Sequence, residues 1–153
     1  MEDYLISRAQ PNEILPHLLL LGDENQQLID AYLPRSQAYR LTVRDQIVGI
    51  CLLQVNEQTG EIMNIAVEPA YQGQGLGKAL LRHVIEAARQ QELERLIIKT
   101  GNSGIGQIAL YQQQGFELIG VNYNYFLQVY PNPIWENGIQ CKHQLVFALT
   151  LST

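Results

Sequence analysis

The chain has 153 residues, which is the size of one ordinary domain, so we expect a single domain over residues 1–153. Apolar residues make up 46% of it and charged residues 16%, a balance that excludes a disordered chain. The net charge of −5 argues against a nucleic-acid-binding protein, which needs a basic face to neutralise phosphates. The same charge is compatible with a cationic or amine-bearing substrate.

The cysteines and the N-terminus favour a cytoplasmic protein without a metal site. Cys51 and Cys141 lie far apart with no C-x-x-C spacing, which excludes a zinc ribbon or a thioredoxin motif. Residues 1–4 contain no basic region, so no signal peptide is expected. The longest apolar stretch, Leu18 to Leu21, is too short to span a bilayer.

The first part of the chain predicts one strand, two helices and a meander of three strands. The hydrophobic period changes from helical to strand-like after Pro34, and Arg44-Asp45 has the character of a hairpin turn. The predicted strands are Leu5–Ser7, Ala38–Val43, Gln46–Val55 and Glu61–Val67, and the predicted helices are Pro11–Leu21 and Asn25–Tyr32.

The second part predicts helices alternating with strands. Gly115 is a typical C-terminal stop for the second of these helices. The predicted helices are Leu76–Gln90 and Ile105–Gln114, and the predicted strands are Leu93–Thr100, Phe116–Tyr130 and Ile139–Leu151. The complete order is β-α-α-β-β-β-α-β-α-β-β. It indicates a mixed α/β fold in which an antiparallel meander leads into a βαβ unit.

The segment from Val67 to Lys78 is the most informative for function. It leaves a strand, passes through a turn that contains Gly73 and Gly75, and opens a helix near Gly77. Glycines allow backbone N–H groups to converge on one point, and a helix N-terminus adds free donors and a partial positive charge. The segment therefore predicts a cradle for an anion, in particular a pyrophosphate.

The spacing of this segment excludes two common phosphate loops. A Walker A loop needs glycine at position 72 and Ser or Thr at position 79, where this chain has Gln72 and Ala79. A dinucleotide fingerprint that starts at Gly73 needs glycine at position 78, where the chain has Lys78. The remaining pattern is Q-x-x-G-x-G, from Gln72 to Gly77, after a strand that ends in Val67.

These residues resemble the GNAT superfamily of acyl-CoA-dependent N-acyltransferases. The resemblance rests on Ile65-Ala66-Val67-Glu68-Pro69, on Gln72 to Gly77, and on Leu110 to Phe116, which is similar to the family's L-Y-x-x-x-G-F pattern. The predicted element order also matches the family along nearly the whole chain. The resemblance implies the GNAT fold, with a splayed central mixed sheet, and acetyl-CoA as cosubstrate.

The resemblance also implies roles for individual residues. The backbone N–H groups of one segment would bind the CoA pyrophosphate: Gln72, Gly73, Gln74, Gly75, Leu76, Gly77 and Lys78. Ile65, Ala66 and Val67 would hydrogen-bond the pantetheine arm as an added strand, and the Val67 N–H would stabilise the developing oxyanion. Tyr111 would protonate the departing thiolate. Many members carry a cofactor-binding asparagine seven residues before this tyrosine. Here that position is Gly104, and Asn102 is the nearest substitute.

The acceptor amine needs a base, because alkyl ammonium groups have pKa values of about 10. Glu61 is the candidate: it lies six residues before Val67 on the same predicted strand, so both side chains would face one side of the sheet unless a bulge intervenes. Glu68 and Glu136 are the alternatives. Neither cysteine is placed to form an acetyl-enzyme, which favours a ternary complex.

The leading hypothesis is an N-acetyltransferase that acts on a small-molecule or peptide amine, with no nucleic-acid or membrane partner. A CoA-binding sensor without turnover and a non-catalytic interaction module are the alternatives. Tyr123, Tyr125 and Tyr130 either line a substrate cleft or pack within the sheet, and Trp135 with Glu136 is a candidate for substrate or dimer contact. The family's members often pair through late strands, so a homodimer is compatible with the resemblance.

Overall fold

A computed structural model of the protein describes residues 3–151. The strands are β1 (Tyr4–Ala9), β2 (Gln37–Val43), β3 (Gln46–Asn56), β4 (Thr59–Val67), β5 (Arg95–Gly101), β6 (Glu117–Asn122), β7 (Ile134–Glu136), β8 (Ile139–Cys141) and β9 (Gln144–Thr150). The α-helices are α1 (Pro16–Gly22), α2 (Gln26–Tyr32), α3 (Leu76–Gln90), α4 (Ile105–Gln113) and α5 (Tyr125–Val129). Single 3₁₀ turns lie at Pro11–Glu13, Leu33–Arg35 and Pro69–Tyr71. The predicted mixed α/β fold is confirmed.

Seven of the described strands form one sheet in the order β1-β2-β3-β4-β5-β9-β6, and β7 pairs with β8 in a separate hairpin. The sheet has helices on both faces. One buried cluster joins the sheet to α3 and α4 through Leu80, Val84 and Tyr111, and the other joins it to α1 and α2 through Leu18 and Ile29. The central strands are therefore packed against helices on both faces.

The sheet splays open between β4 and β5. These two strands are parallel and pair only from Thr59–Ile62 to Arg95–Ile98. Beyond that point β4 continues to Val67 on its β3 side alone, while β5 continues to Gly101 beside β9. Residues 63–67 therefore have no strand partner on their β5 side within the described part of the chain, and a cleft opens there.

The predicted helix over Pro11–Leu21 is wrong in its first half. The structure has a 3₁₀ turn followed by α1, which begins only at Pro16. The residue before a proline is disfavoured in the helical conformation, and Leu15 is accordingly extended, with φ −69° and ψ 128°. The break at Leu15 separates the two pieces.

The predicted strand over Phe116–Tyr130 is also wrong, because it ends as β6 at Asn122 and the chain then forms α5. Asn124 adopts a left-handed conformation, with φ 60°, and precedes the helix. The Phe126 N–H bonds to the carbonyl oxygen of Lys142, which anchors the start of α5.

The predicted strand over Ile139–Leu151 divides into β8 and β9 at Lys142 and His143. The side-chain oxygen of Asn102 accepts hydrogen bonds from the backbone N–H groups of both residues, at 2.8 Å and 2.9 Å. A side chain thus satisfies the donors that a continuous ladder would use. The predicted loop before this strand contains β7, which returns through Asn137-Gly138, both with positive φ.

Candidate active site

A cleft of about 730 Å³ fills the opening between β4 and β5. One end is formed by the end of β4, the glycine turn after it and α4. The other end is formed by the α1–α2 turn, α5 and β7. Seven of the residues to which the sequence analysis gave a catalytic or cofactor-binding role line this cleft: Glu61, Ile65, Ala66, Val67, Gln72, Gly77 and Tyr111.

The glycine turn adopts a backbone that requires glycine. Gly73 has φ 79° and Gly75 has φ 83°, and a Cβ atom at either position would meet nothing within 4 Å. The space is therefore open, and the conformation alone selects glycine. Gln74 is exposed between them, so the turn presents its backbone to solvent at the N-terminus of α3.

The residues that follow the turn differ in what they expose. Leu76 buries its side chain in the core below α3, so only its backbone N–H is free to face a ligand. Lys78 is exposed on the first turn of the helix. Helix N-termini favour anions through their free N–H groups. The geometry suits an anion held by main-chain donors.

Gln72 ties this turn to the end of β4. Its side-chain Nε2 donates a hydrogen bond to the carbonyl oxygen of Val67 at 2.9 Å. The turn and the strand terminus are therefore held in a fixed relation.

The N–H of Val67 points into the cleft. The Glu68 N–H donates to the carbonyl oxygen of Val48 on β3, at 2.7 Å. Because successive N–H groups along a strand point to opposite sides, those of Ile65 and Val67 face the open edge instead. An unpaired donor at this position can stabilise an oxyanion.

Tyr111 is anchored by the helix end that follows it. The Phe116 N–H bonds to the carbonyl oxygen of Tyr111 and the Gly115 N–H to that of Gln112, both at 3.0 Å. With Gly115 at φ 99°, this is a Schellman motif, in which the residue after the glycine packs on the helix. The rings of Phe116 and Tyr111 lie 6.1 Å apart. The L-Y-x-x-x-G-F pattern thus encodes a helix cap that fixes the tyrosine.

Tyr111 is buried at the wall of the cleft. The residue is only 4% exposed, it is among the residues that line the cleft, and its ring meets Phe147 edge-on at 6.1 Å. Its hydroxyl makes no hydrogen bond to another residue between 3 and 151. Burial raises the pKa of Tyr111 well above its ordinary value. The group is therefore a protonated hydrogen-bond donor throughout the neutral range.

The expectation that Glu61 and Val67 face the same side is wrong, because β4 contains a bulge. Leu52 pairs with Asn64 and Leu53 with Ile62, so Met63 is an extra residue. Ile62 and Val67 accordingly both belong to the α3 core, although they are five positions apart and would lie on opposite faces of a regular strand. Glu61 consequently lies on the α1–α2 face and lines the cleft from that side.

The three candidate carboxylates have different partners. Glu61 forms an ion pair with Lys99, with Nζ and Oε2 separated by 3.3 Å. Glu136 accepts a hydrogen bond from the hydroxyl of Ser103 at 3.1 Å and lines the cleft. Glu68 contacts the imidazole of His17 and lies outside the cleft. The structure therefore brings Glu61 and Glu136 to the site but leaves Glu68 out.

Asn102 does not reach the cleft. Its Nδ2 donates to the carbonyl oxygen of Gln140 at 3.1 Å, and its Oδ1 holds the backbone of Lys142 and His143. The side chain thus braces the connection between β8 and β9. The cofactor contact considered for Asn102 has no support in this arrangement.

A polar network that was not predicted from the sequence lies at the other end of the cleft. Asp23 accepts hydrogen bonds from the hydroxyls of Tyr130, at 2.6 Å, and Tyr32, at 3.0 Å. Asn64 donates to that same Tyr32 oxygen at 3.1 Å. Burial, and after it the charge of Asp23, raises the pKa of Tyr32; for Tyr130, burial and the hydrogen bond to Asp23 act in the same direction. Asn64, a single polar residue in the apolar run of β4, was the sequence feature that could have indicated this network.

Two of the three late tyrosines line the cleft. Tyr125 and Tyr130 do so from α5 and the residue after it, whereas Tyr123 is 73% exposed and packs edge-on against His143. Trp135 is 64% exposed and also borders the cleft. Between residues 3 and 151 no three His, Cys, Asp or Glu side chains are grouped to hold a metal ion. None of the described helices has the length and hydropathy needed to cross a membrane.

Comparisons with known proteins agree with this geometry. An N-acetyltransferase of uncharacterised function from Bacillus subtilis, YvbK, is 39% identical over 143 residues, covering 93% of this chain and 92% of that protein. An IAA acetyltransferase from Bacillus cereus has a TM-score of 0.94 at 37% identity, covering 97% of this chain and all of that one.

A GNAT family acetyltransferase from Elizabethkingia anophelis, solved with acetyl-CoA bound, has a TM-score of 0.91 at 39% identity, covering 97% and 98% of the two chains. The model of the acetyltransferase (GNAT) family matches residues 9–116. The relatives therefore account for the splayed sheet, the glycine turn and the capped tyrosine. The chain belongs to the acetyltransferase (GNAT) family.

Proposed function

We propose that the protein transfers the acetyl group of acetyl-CoA to a primary amine by direct attack within a ternary complex. The observation that carries this proposal is the unpaired edge of β4, which ends in the N–H of Val67 beside the glycine turn. One extended ligand can follow that edge and place its anionic end at the turn. The phenol of Tyr111 lines the same cleft.

The residues present fit acetyl-CoA. The edge residues Ile65 to Val67 offer main-chain hydrogen bonds to an extended arm, and Gly73 and Gly75 leave room for a diphosphate against the backbone. The relative from Elizabethkingia anophelis has acetyl-CoA bound. When bound, the coenzyme supplies an acetyl thioester, whose carbonyl carbon accepts the amine.

On the acceptor side, Glu61 removes the proton that keeps the amine from reacting. Most primary alkyl amines are protonated near neutral pH, since their pKa values are about 10. Glu61 lines the part of the cleft that lies toward the α1–α2 turn, α5 and β7, which we call the acceptor half. The adjacent ammonium of Lys99 compensates its charge. It acts directly or through one water molecule. Glu136 is the other candidate base that lines the cleft.

On the coenzyme side, the Val67 N–H and Tyr111 act on opposite ends of the bond that breaks. The carbon–nitrogen bond forms while the Val67 N–H donates to the carbonyl oxygen, where negative charge develops. As the carbon–sulfur bond breaks, the phenol of Tyr111 donates a hydrogen bond to the thiolate. The second proton of the attacking nitrogen, released as the amide forms, balances the proton that the sulfur takes up. The buried phenol serves mainly as a donor, because its raised pKa makes complete proton transfer less favourable.

A CoA-binding sensor and an interaction module are the competing functions. A sensor has no need of a buried phenol directed at the sulfur position, which favours an enzyme. The test is release of free thiol from acetyl-CoA in the presence of a panel of primary amines. Amine-dependent release supports the proposal. Binding of CoA without release for every amine would instead assign the sensor function, and absence of binding would assign the interaction module.

The acceptor is a small-molecule amine or a peptide amine in this proposal. The homodimer and the cytoplasmic location stay predictions from the sequence. Light scattering on the purified protein tests the first, since a dimer has twice the mass of the chain. Fractionation of the source cells tests the second.

A further inference from the structure

The acceptor half of the cleft contains a carboxylate that the reaction does not use. Asp23 lies in the α1–α2 turn, where neutral donors hold it: the hydroxyls of Tyr32 and Tyr130, and the backbone N–H of Asn25 at 3.0 Å. It forms no ion pair with any residue from 3 to 151. Its charge therefore remains uncompensated by the protein. Oδ2 has a single donor, which leaves it capacity for another hydrogen bond.

The charges around the cleft are strongly unequal. Among residues 3–151, four carboxylates and one ammonium line it, which gives a formal charge of −3. The single ammonium, that of Lys99, is paired with Glu61. The lining residues with charge are Asp23, Glu24, Glu61, Glu136 and Lys99. A ligand with positive charge is favoured in such a field.

A further feature of the same walls suits a cation. Phe126 and Tyr130 are stacked at 5.3 Å, and Tyr125 meets Tyr130 edge-on at 6.4 Å. Because the hydroxyl of Tyr130 donates to Asp23, this group of aromatic rings lies beside the carboxylate. Aromatic rings attract cations through their faces.

Glu61 and Asp23 face one shared space. Both carboxylates line the same cleft as Tyr125. Burial raises the pKa of Tyr125, and the charges of Asp23 and Glu61 act in the same direction. An amine at Glu61 must become neutral before it can attack. Once neutral, this amine carries no positive charge that could compensate the negative charge of Asp23. A second positive charge on the same acceptor can.

We propose that the acceptor is a primary amine carrying a second, distal ammonium group, and that Asp23 is the specificity-determining residue that accepts this ammonium. This inference rests on the proposed acetyl transfer. The amine that reacts lies toward Val67 and Glu61, and the distal ammonium lies between Asp23 and the aromatic rings of α5. Aliphatic diamines are the simplest compounds of this class.

The test compares matched acceptors. Thiol release from acetyl-CoA is measured with 1,4-diaminobutane and with 1-aminobutane, and then with longer pairs of equal chain length. We expect kcat/KM to be at least about tenfold higher for one or more diamines after correction for their two reactive ends. Equal values throughout the series would overturn the inference, while the thiol release itself would still support acetyl transfer.

Variants separate charge from structure. Asp23→Asn keeps the shape, and we expect it to lower the diamine-to-monoamine ratio of kcat/KM by about tenfold. Tyr130→Phe breaks a hydrogen bond of the same network without removing the charge and keeps most of the ratio. Asp30→Asn, on the exposed side of α2, is the matched control. Loss of the ratio in Tyr130→Phe to the same extent as in Asp23→Asn would overturn the role of the charge.

A binding measurement distinguishes failure of this inference from failure of the proposed function. 1,4-Diaminobutane is titrated calorimetrically into protein saturated with CoA, alongside 1-aminobutane. We expect saturable heat for the diamine that Asp23→Asn abolishes. If diamine binding depends on Asp23 but no amine causes thiol release, the inferred ligand class is supported and the proposed acetyl transfer is contradicted. If neither amine binds and the diamine is not preferred in turnover, the inference falls.

Discussion

The side-chain amide of Gln72 donates to the carbonyl oxygen of Val67 and so joins the glycine turn to the strand end that carries the proposed oxyanion donor. We expect Gln72→Ala to raise the Kd for CoA about fivefold, because a single hydrogen bond contributes about 1 kcal/mol. Calorimetric titration measures this. Gln113→Ala, on the exposed face of α4, is the control. Unchanged affinity in Gln72→Ala would show that the turn keeps its shape without the bond.

Two substitutions at Gly75 distinguish the effect of backbone strain from the effect of negative charge at the turn. At φ 83° any side chain strains the backbone by about 1 kcal/mol, although the space around its Cβ is open. We therefore compare Gly75→Glu with Gly75→Gln, which carry equal strain. We expect similar melting temperatures, and a Kd for CoA at least about tenfold higher in the glutamate variant. Equal CoA affinities would place the diphosphate elsewhere.

Tyr111→Phe removes only a hydroxyl, and that hydroxyl has no protein partner among residues 3–151. We expect kcat to fall about 10- to 100-fold, at the low end of general-acid effects, while the Kd for acetyl-CoA is nearly unchanged. Tyr123→Phe, at an exposed position, serves as control.

The pH dependence follows from the raised pKa of Tyr111. The protonated phenol is the active form, and it is lost only as the pH rises through its raised folded-state pKa. The ratio of wild-type to Tyr111→Phe kcat is therefore expected to stay constant between pH 7 and about 9.5, below even the ordinary tyrosine value. A ratio that declines within this range would contradict the buried, protonated phenol.

Glu61→Gln removes the proposed base and retains the size of the side chain. We expect kcat/KM at pH 7 to fall about 100-fold, in line with general-base contributions. Because the neutral amine becomes abundant near its own pKa of about 10, the deficit is expected to shrink as the pH is raised. A pH–rate profile measures this, with Glu94→Gln as an exposed control. A deficit that is constant with pH would assign Glu61 to acceptor binding.

Gly22 lies against the amide of Asn64, and this contact predicts a stability effect. A Cβ at Gly22 would lie 1.8 Å from Oδ1 of Asn64, whose Nδ2 bonds to the carbonyl oxygen of Leu19. We expect Gly22→Ala to lower the free energy of unfolding by about 2 kcal/mol, as overpacking does. Gly106→Ala, with open space around its Cβ, is expected to raise it by about 0.5–1 kcal/mol.

A double variant checks the cause of the Gly22 effect. Asn64→Ala removes the atoms that a Cβ at Gly22 would strike. Adding Gly22→Ala to it is therefore expected to cost less than adding Gly22→Ala to the wild type. Equal costs in thermal or chemical denaturation would mean that another contact opposes the methyl group.

The regions with regular periods and local turn signals were predictable from the sequence. The meander, the Arg44-Asp45 turn, α3 and the splayed sheet are all confirmed. The capped position of Tyr111 follows from its motif. These features depend on interactions between residues close in the chain, or on a pattern shared with a large family.

The errors have long-range causes. The Met63 bulge reverses the face of Glu61, and nothing in the local apolar run marks it. Tyr123 to Tyr130 alternate as a strand would, yet contacts with residues about twenty positions later produce α5. The Asp23–Tyr130 hydrogen bond joins residues 107 apart, which no local pattern encodes.

The bulge at Met63 separates two parts of β4 that have different roles in the proposed reaction. In the proposed function, β4 beyond the bulge binds the coenzyme through main-chain atoms, which mutation leaves largely intact. Side chains before the bulge and across the opening, from the α1–α2 turn and α5, would face the acceptor. Replacement of those side chains can therefore change which amines the enzyme accepts, while the main-chain contacts to the coenzyme stay the same. We expect descendants of this chain to diverge at residues 23–32 and 125–136 long before they diverge at residues 65–77.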